Sequence, residues 1–259
     1  MKKNLLIILY LIGTTAFCSP INGYAEKQEI NNKANKVVDA KNGQPISAAK
    51  INIPSKNFST ITDDTGSFHL QADINAPTIV SIEKNGYKPF SLTMDKLSTA
   101  KPIIIGIEKS NPADIVLENT LLHLGDNNFS ESSANAGEFQ VDGNTPFYTK
   151  KFKVTQFAND KNAYLIIGSV IGIDTKMAVD LGQSKVKTAY SSPPEIYFNN
   201  NKIAELKING DHQEIMLPKN LIIPKQQNEI TIKTGKNLFQ TNYIDYDDIE
   251  LMNLSIEVY

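Results

Sequence analysis

From Val37 onward the chain is dominated by short alternations of apolar and polar residues. In Ala49-Lys50-Ile51-Asn52-Ile53 the alanine and isoleucines share one face and the lysine and asparagine the other. That period of two marks a half-buried strand. Val37–Ala40, Ser59–Thr62, Ser67–Gln71, Thr78–Glu83, Pro89–Met94 and Ile103–Ile107 read as strands as well. Asn42-Gly43, Thr65-Gly66 and Asn85-Gly86 separate them with residues that tolerate positive φ. No stretch offers three turns of amphipathic helix, so residues 36–109 are expected to form a small seven-stranded β-sandwich.

Lys109-Ser110-Asn111-Pro112 reads as a linker, and Pro112 to Leu117 as a short turn of helix or a strand. Beyond it, strands are expected at Leu121–Leu124, Gly137–Val141, Thr149–Val154, Ala163–Ile171, Met177–Leu181, Lys185–Ala189, Glu195–Phe198, Ile203–Ile208, Gln213–Leu217, Glu229–Thr234 and Ile249–Val258. Ala163–Ile171 is almost continuously apolar, as for a strand covered on both faces. About ten strands over residues 110–259 fit a larger jelly-roll sandwich. The expected fold class is all-β, with two sandwich domains.

The amino terminus has a different pattern. Lys2 and Lys3 precede the apolar run Leu5 to Ile12, and Gly23-Tyr24-Ala25 places small residues at the positions a signal peptidase reads. Residues 1–25 are expected to be a cleaved secretory signal, and residues 26–35, polar throughout, a flexible leader. The apolar run is too short to cross a bilayer, which takes about 20 residues. Nothing later is long and apolar enough either, so no membrane span is expected after cleavage. Bulky Phe17 before Cys18 disfavours a lipid-modified cysteine. The expected location is extracytoplasmic: periplasmic or secreted.

Removing the signal discards the only cysteine among the 259 residues, which excludes disulfides and thiolate chemistry from the remainder. The formal net charge of −2 becomes more negative with the loss of two lysines. With no basic cluster, nucleic acid is not an expected partner. The chain has no arginine and no tryptophan, so bidentate guanidinium capture of phosphate or carboxylate is excluded. This lysine- and asparagine-rich composition suggests a bacterial source.

The run Val38-Asp39-Ala40-Lys41-Asn42-Gly43-Gln44-Pro45-Ile46, followed by Thr62-Asp63-Asp64-Thr65-Gly66-Ser67-Phe68 and Gly86-Tyr87, resembles the carboxypeptidase regulatory-like family of transthyretin-type sandwiches. That resemblance implies a fold and a non-catalytic accessory role. Residues 115–259 are similar to galactose-binding-like or carbohydrate-binding jelly rolls. The residues concerned are Leu124 to Ser130, Ile196 to Ile203, Pro218 to Ile222, Asn228 to Ile232 and Asp245 to Leu251. This second resemblance implies that the first and last strands of the domain pair.

Three candidate chemistries follow. Asp126, Asp247 and Asp248 are hard oxygen donors that such pairing would bring together, as for a structural Ca²⁺; the bland alternative is an acidic loop capping its own backbone. Tyr190, Tyr197, Tyr243 and Tyr246 can stack on a sugar face, with Phe239 nearby and Asn200 placed to read hydroxyls; packing is the alternative for each. Asp63-Asp64-Thr65-Gly66 is expected to be a plain turn. His69, His123 and His212 form no paired metal motif, and neither a nucleophile elbow nor a phosphate loop is present. The expectation is a non-catalytic exported protein that binds carbohydrate through its carboxy-terminal sandwich. The alternative is a structural or adhesion module binding envelope proteins by strand addition.

Overall fold

A computed structural model describes residues 34–130, 132–134, 139, 142–143, 145–154, 160–187 and 190–259. The signal segment, most of the leader and the strand expected at Gly137–Val141 lie outside them. The described residues are all-β and build sandwiches. In the first, β1 (Asn35–Asp39) lies between β4 (Ser67–Phe68) and β7 (Ile104–Ile107), parallel to β7. The facing sheet runs β3 (Phe58–Ile61), β2 (Lys50–Ile53), β5 (Thr78–Glu83), β6 (Phe90–Met94). Alternation fixes what each strand contributes. Ile51 and Ile53 on β2 and Ile105 and Ile107 on β7 are buried with Val37, Phe68, Val80, Ile82 and Met94 in one core. Asp63 closes the turn before β4, its carboxylate accepting from the N–H groups of Thr65 and Ser67 at 2.8 and 2.9 Å.

In the second sandwich one sheet is β10 (Phe147–Lys153), β15 (Gln227–Lys233), β12 (Glu195–Phe198), β13 (Asn201–Glu205). The other is β14 (Gly210–Met216), β11 (Ala163–Ile171), β16 (Ile249–Val258), β8 (Ile115–Glu118), with β9 (Leu122–Leu124) also on β16. Their core includes Leu165, Ile167, Ile196, Phe198, Ile230, Ile232, Leu254 and Ile256. Asn199 and Asn200 both have positive φ, 46° and 64°, and make the two-residue turn between β12 and β13.

One segment expected as a strand is helical. Met177–Leu181 falls in α1 (Lys176–Asp180), because the Thr175 hydroxyl caps Ala178 N at 3.1 Å and Lys176 pairs with Asp180 one turn on. Residues 185–187 of another expected strand also form none.

The two cores meet in a buried seam. All ten residues of β16 are buried; β5 and β6 lie against the face that the second core leaves free, and His123 lies beside Glu250. Apolar contact in the seam comes from Ile79, Ile171 and Met252; full burial of such a side chain contributes about 1.5–3 kcal/mol. The remainder is polar. Asp211 on β14 accepts from the Thr93 N–H and hydroxyl on β6, and Lys88 Nζ meets Glu257 at 2.5 Å. At the seam's centre Gly168 lies beside Asn253, which has φ +59°. Inward-facing residues skip from Ile167 to Val170 on β11 and from Leu251 to Leu254 on β16. Both strands therefore change face at the same place. A Cβ on Gly168 would stand 2.5 Å from Ser91 Oγ, so only glycine admits β6 this closely.

Candidate functional site

The carboxy-terminal sandwich has one loop whose base is fixed and whose tip is apolar: residues 236–246, between β15 and β16. Thr234 Oγ1 donates to Asp247 O at 2.5 Å and Asp247 N to Gly235 O at 3.0 Å, closing the neck. A Cβ on Gly235 would stand 1.9 Å from Ser192 O, so the chain passes 191–192 only as glycine. Beyond the neck, Lys236 pairs with Tyr246, and Asn237 with both Asp245 and Ser191. Asp245 accepts from Asn237 Nδ2 at 2.9 Å and Asn128 Nδ2 at 2.6 Å, and Asp126 accepts from Tyr246 N at 2.9 Å. Short polar side chains thus satisfy the backbone where the sheet ladder stops.

The clasp holds out a tip that no core covers. Leu238, Phe239, Tyr243 and Ile244 are 57%, 62%, 56% and 61% exposed. They are four of the fourteen exposed large hydrophobic residues among the described residues, gathered within seven positions. The Tyr190 ring lies 5.8 Å from that of Phe239, and Leu238 N donates to Tyr190 O at 3.0 Å. A recess of about 440 Å³ opens within the loop, with Tyr243 and Ile244 on its wall beside Asn237, Asn242 and Asp245.

Of the expected sugar-contacting residues, Tyr190, Tyr243 and Tyr246 therefore meet at this loop. Tyr197 and Asn200 do not. Tyr197 lies on the outer face of its sheet, its hydroxyl donating to Glu195 at 2.7 Å and Lys233 Nζ 4.5 Å from its ring centroid. Asn200 is at the β12–β13 turn, at the other end of β12 from Pro194 and the loop.

Leu124 pairs with Ile249, so the first and last strands do bring Asp126 towards Asp247 and Asp248. Their oxygens face different donors. Asp126 accepts from Asn128 N as well as Tyr246 N. Asp248 accepts from Asn127 N at 2.9 Å and contacts His123 Nε2 at 2.8 Å. Asp247 accepts from Asp174 N at 3.3 Å. No group of three His, Cys, Asp or Glu among the described residues is placed to hold a metal ion.

The surrounding electrostatics are those of a buried acidic pair. Burial, then the charge of Asp174 beside it, push the Asp247 carboxyl well above the ordinary 3.8. Burial likewise raises Asp174, against hydrogen bonds from Ser133, Ser184 and Ala134 N. His123 is buried between Asp248 and Glu250, 2.8 and 3.9 Å away, with the Phe139 ring 4.9 Å from its own. Sequence patterning missed this histidine's partners, since Asp248 is 125 positions away.

With this geometry in place, likeness to known proteins divides the chain. Residues 36–120 match the family model described as the CarboxypepD_reg-like domain. The match extends past the expected boundary at 109 through β8, which pairs with β16. No curated protein matches the chain. One similar solved structure comes from Bacteroides fragilis NCTC 9343, a candidate membrane-associated protein of unknown function. It is 13% identical, covers 87% of this chain and 96% of that one, and has a TM-score of 0.24, too low to assign a fold.

Proposed function

We propose that this is an exported, non-catalytic binding protein whose carboxy-terminal sandwich, read as a jelly roll, takes a carbohydrate at loop 236–246. The observation that carries the proposal is the recess itself. Tyr243 offers an exposed ring, while Asn237, Asn242 and Asp245 place amide and carboxylate groups around about 440 Å³. An aromatic face for sugar C–H groups, with convergent polar groups for its hydroxyls, is the usual economy of such a site. Asp245 accepts two hydrogen bonds in the clasp, and a carboxylate has about four acceptor positions, leaving capacity for a ligand.

The amino-terminal sandwich supports a non-catalytic reading, since CarboxypepD_reg-like domains are regulatory and not enzymes. Export rests on the charged, apolar and small-residue sequence of positions 1–25. Among the described residues no helix is long and apolar enough to cross a membrane. Isothermal titration of the chain from Glu26 with mono- and oligosaccharides tests the proposal. Saturable heat that Tyr243→Ala removes supports it, and no heat with any saccharide contradicts it.

A second reading, an adhesion module for envelope proteins, is favoured by β13. This strand ends its sheet, and a groove of about 380 Å³ runs beside Lys202, Ile203 and Glu205, where a partner strand would add.

A further inference from the structure

Loop 236–246 combines two chemistries that a free saccharide does not need together. The recess is polar on the side of Asn237, Thr241, Asn242 and Asp245. Leu238 and Ile244 line its apolar side and Phe239 adjoins them, each more than half exposed. A soluble sugar in the recess would use the Tyr243 ring and leave much of the exposed apolar surface of Leu238, Phe239 and Ile244 in water. An apolar partner surface would cover those side chains and strand the polar recess without hydrogen bonds, which is costly. An amphiphile satisfies both.

We propose that the ligand of this loop is a saccharide carried on a lipid and met at a membrane surface; this rests on the carbohydrate reading above. The head group occupies the recess, and Leu238, Phe239 and Ile244 enter the boundary between head groups and acyl chains, as the apolar face of an interfacial segment does. Three features of the molecule fit this use. The clasp fixes the tip in place, so little ordering is needed on binding. The Asp126 carboxylate at the base is turned into the clasp, accepting from Tyr246 N. Further exposed apolar side chains lie at α1. Asn237 adjoins Ser191 and Ser191 adjoins Thr175 at the head of α1, whose Met177 is 48% exposed and is followed by Leu181 at 62%.

The test is co-sedimentation of the chain from Glu26 with phosphatidylcholine vesicles, plain or containing galactosylceramide or lipopolysaccharide, beside titrations with galactose and delipidated polysaccharide. The expected result is at least about tenfold tighter binding to a vesicle-borne saccharide than to its free form. The variant Phe239→Ser should weaken that gain, retain saccharide binding and keep the wild-type circular dichroism. Equal affinity for free and vesicle-borne saccharide overturns the inference and leaves the carbohydrate reading standing. Equal sedimentation with plain vesicles, or none with either glycolipid, also overturns it. Binding to no saccharide in any form overturns the carbohydrate reading as well.

Discussion

Thr93 on β6 donates its backbone N–H to both carboxylate oxygens of Asp211 on β14, at 3.0 and 2.9 Å, and its hydroxyl to Asp211 Oδ1 at 2.8 Å. One acidic side chain thereby closes the edge of one sandwich onto the edge of the other, and Ser169 donates to the same oxygen at 2.7 Å. Asp211→Ala is expected to cost about 1–2 kcal/mol, the range for hydrogen bonds to a charged group with some solvent access. Chemical denaturation measures it. If the seam couples the sandwiches, hydrogen exchange in the variant should rise in β6 and β14 together, not in β14 alone.

The buried pair Asp174 and Asp247 makes stability depend on pH in a defined direction. Both carboxyls are raised above 3.8, so the folded state holds protons that the unfolded chain has released. Their contribution is complete below the unfolded value and is lost as pH rises from there through the raised folded values. Asp63 acts oppositely: the Thr65 hydroxyl and the Ser67 and Thr65 N–H groups hold it below 3.8, so its contribution fades in acid. Maximum stability is therefore expected in mild acid. Asp247→Asn should flatten the decline on the alkaline side and raise the melting temperature at pH 8 by a few degrees, read by calorimetry across pH.

Gly235→Ala would force the neck of loop 236–246 away from Ser192 O, where the new Cβ would stand at 1.9 Å. The expected loss is about 1–3 kcal/mol, typical of overpacking. Binding should fall with it, because the clasp sets the positions of Tyr243 and Asp245. A control at Gly43, where a Cβ meets nothing within 4 Å, has only the strain of φ +71° to bear and should leave binding unchanged.

Calcium should not change the melting temperature. Asp126, Asp247 and Asp248 direct oxygens to Tyr246 N, Asp174 N and Asn127 N respectively and do not converge. Thermal scans with excess Ca²⁺ and with chelator are expected to coincide. A rise of several degrees with Ca²⁺ would restore a metal site to these carboxylates.

Much of this architecture was legible in the chain because alternation is a local property. The seven strands of the first sandwich, β12 and β15 fall where short apolar and polar alternations place them, and β11 where a continuous apolar run does; β16 also falls in its expected range. Met177–Leu181 reads as a strand because Met177-Ala178-Val179 is a short apolar run broken only by Asp180, and five positions are too few to separate a strand from one turn of helix; the deciding signal is Thr175 as a cap. The polar outer face of β16, with Asn253, Ser255 and Glu257 all buried, follows from the other sandwich lying on it. No local pattern announces that. The site was half legible. Tyr190, Tyr243 and Tyr246 meet because Ser191 pairs with Asn237, whereas Tyr197 and Asn200 share their chemistry but not their place.

The central claim is that loop 236–246, and not the face of the sheet carrying Tyr197, is where this protein binds. A glycan array probed side by side with the wild type, Tyr243→Ala and Tyr197→Ala tests it most directly. The account predicts saccharide signals that fall at least about tenfold with Tyr243→Ala, a loss of roughly 1.4 kcal/mol or more, and persist with Tyr197→Ala. Signals lost with Tyr197→Ala and kept with Tyr243→Ala, or no wild-type signal, would contradict it.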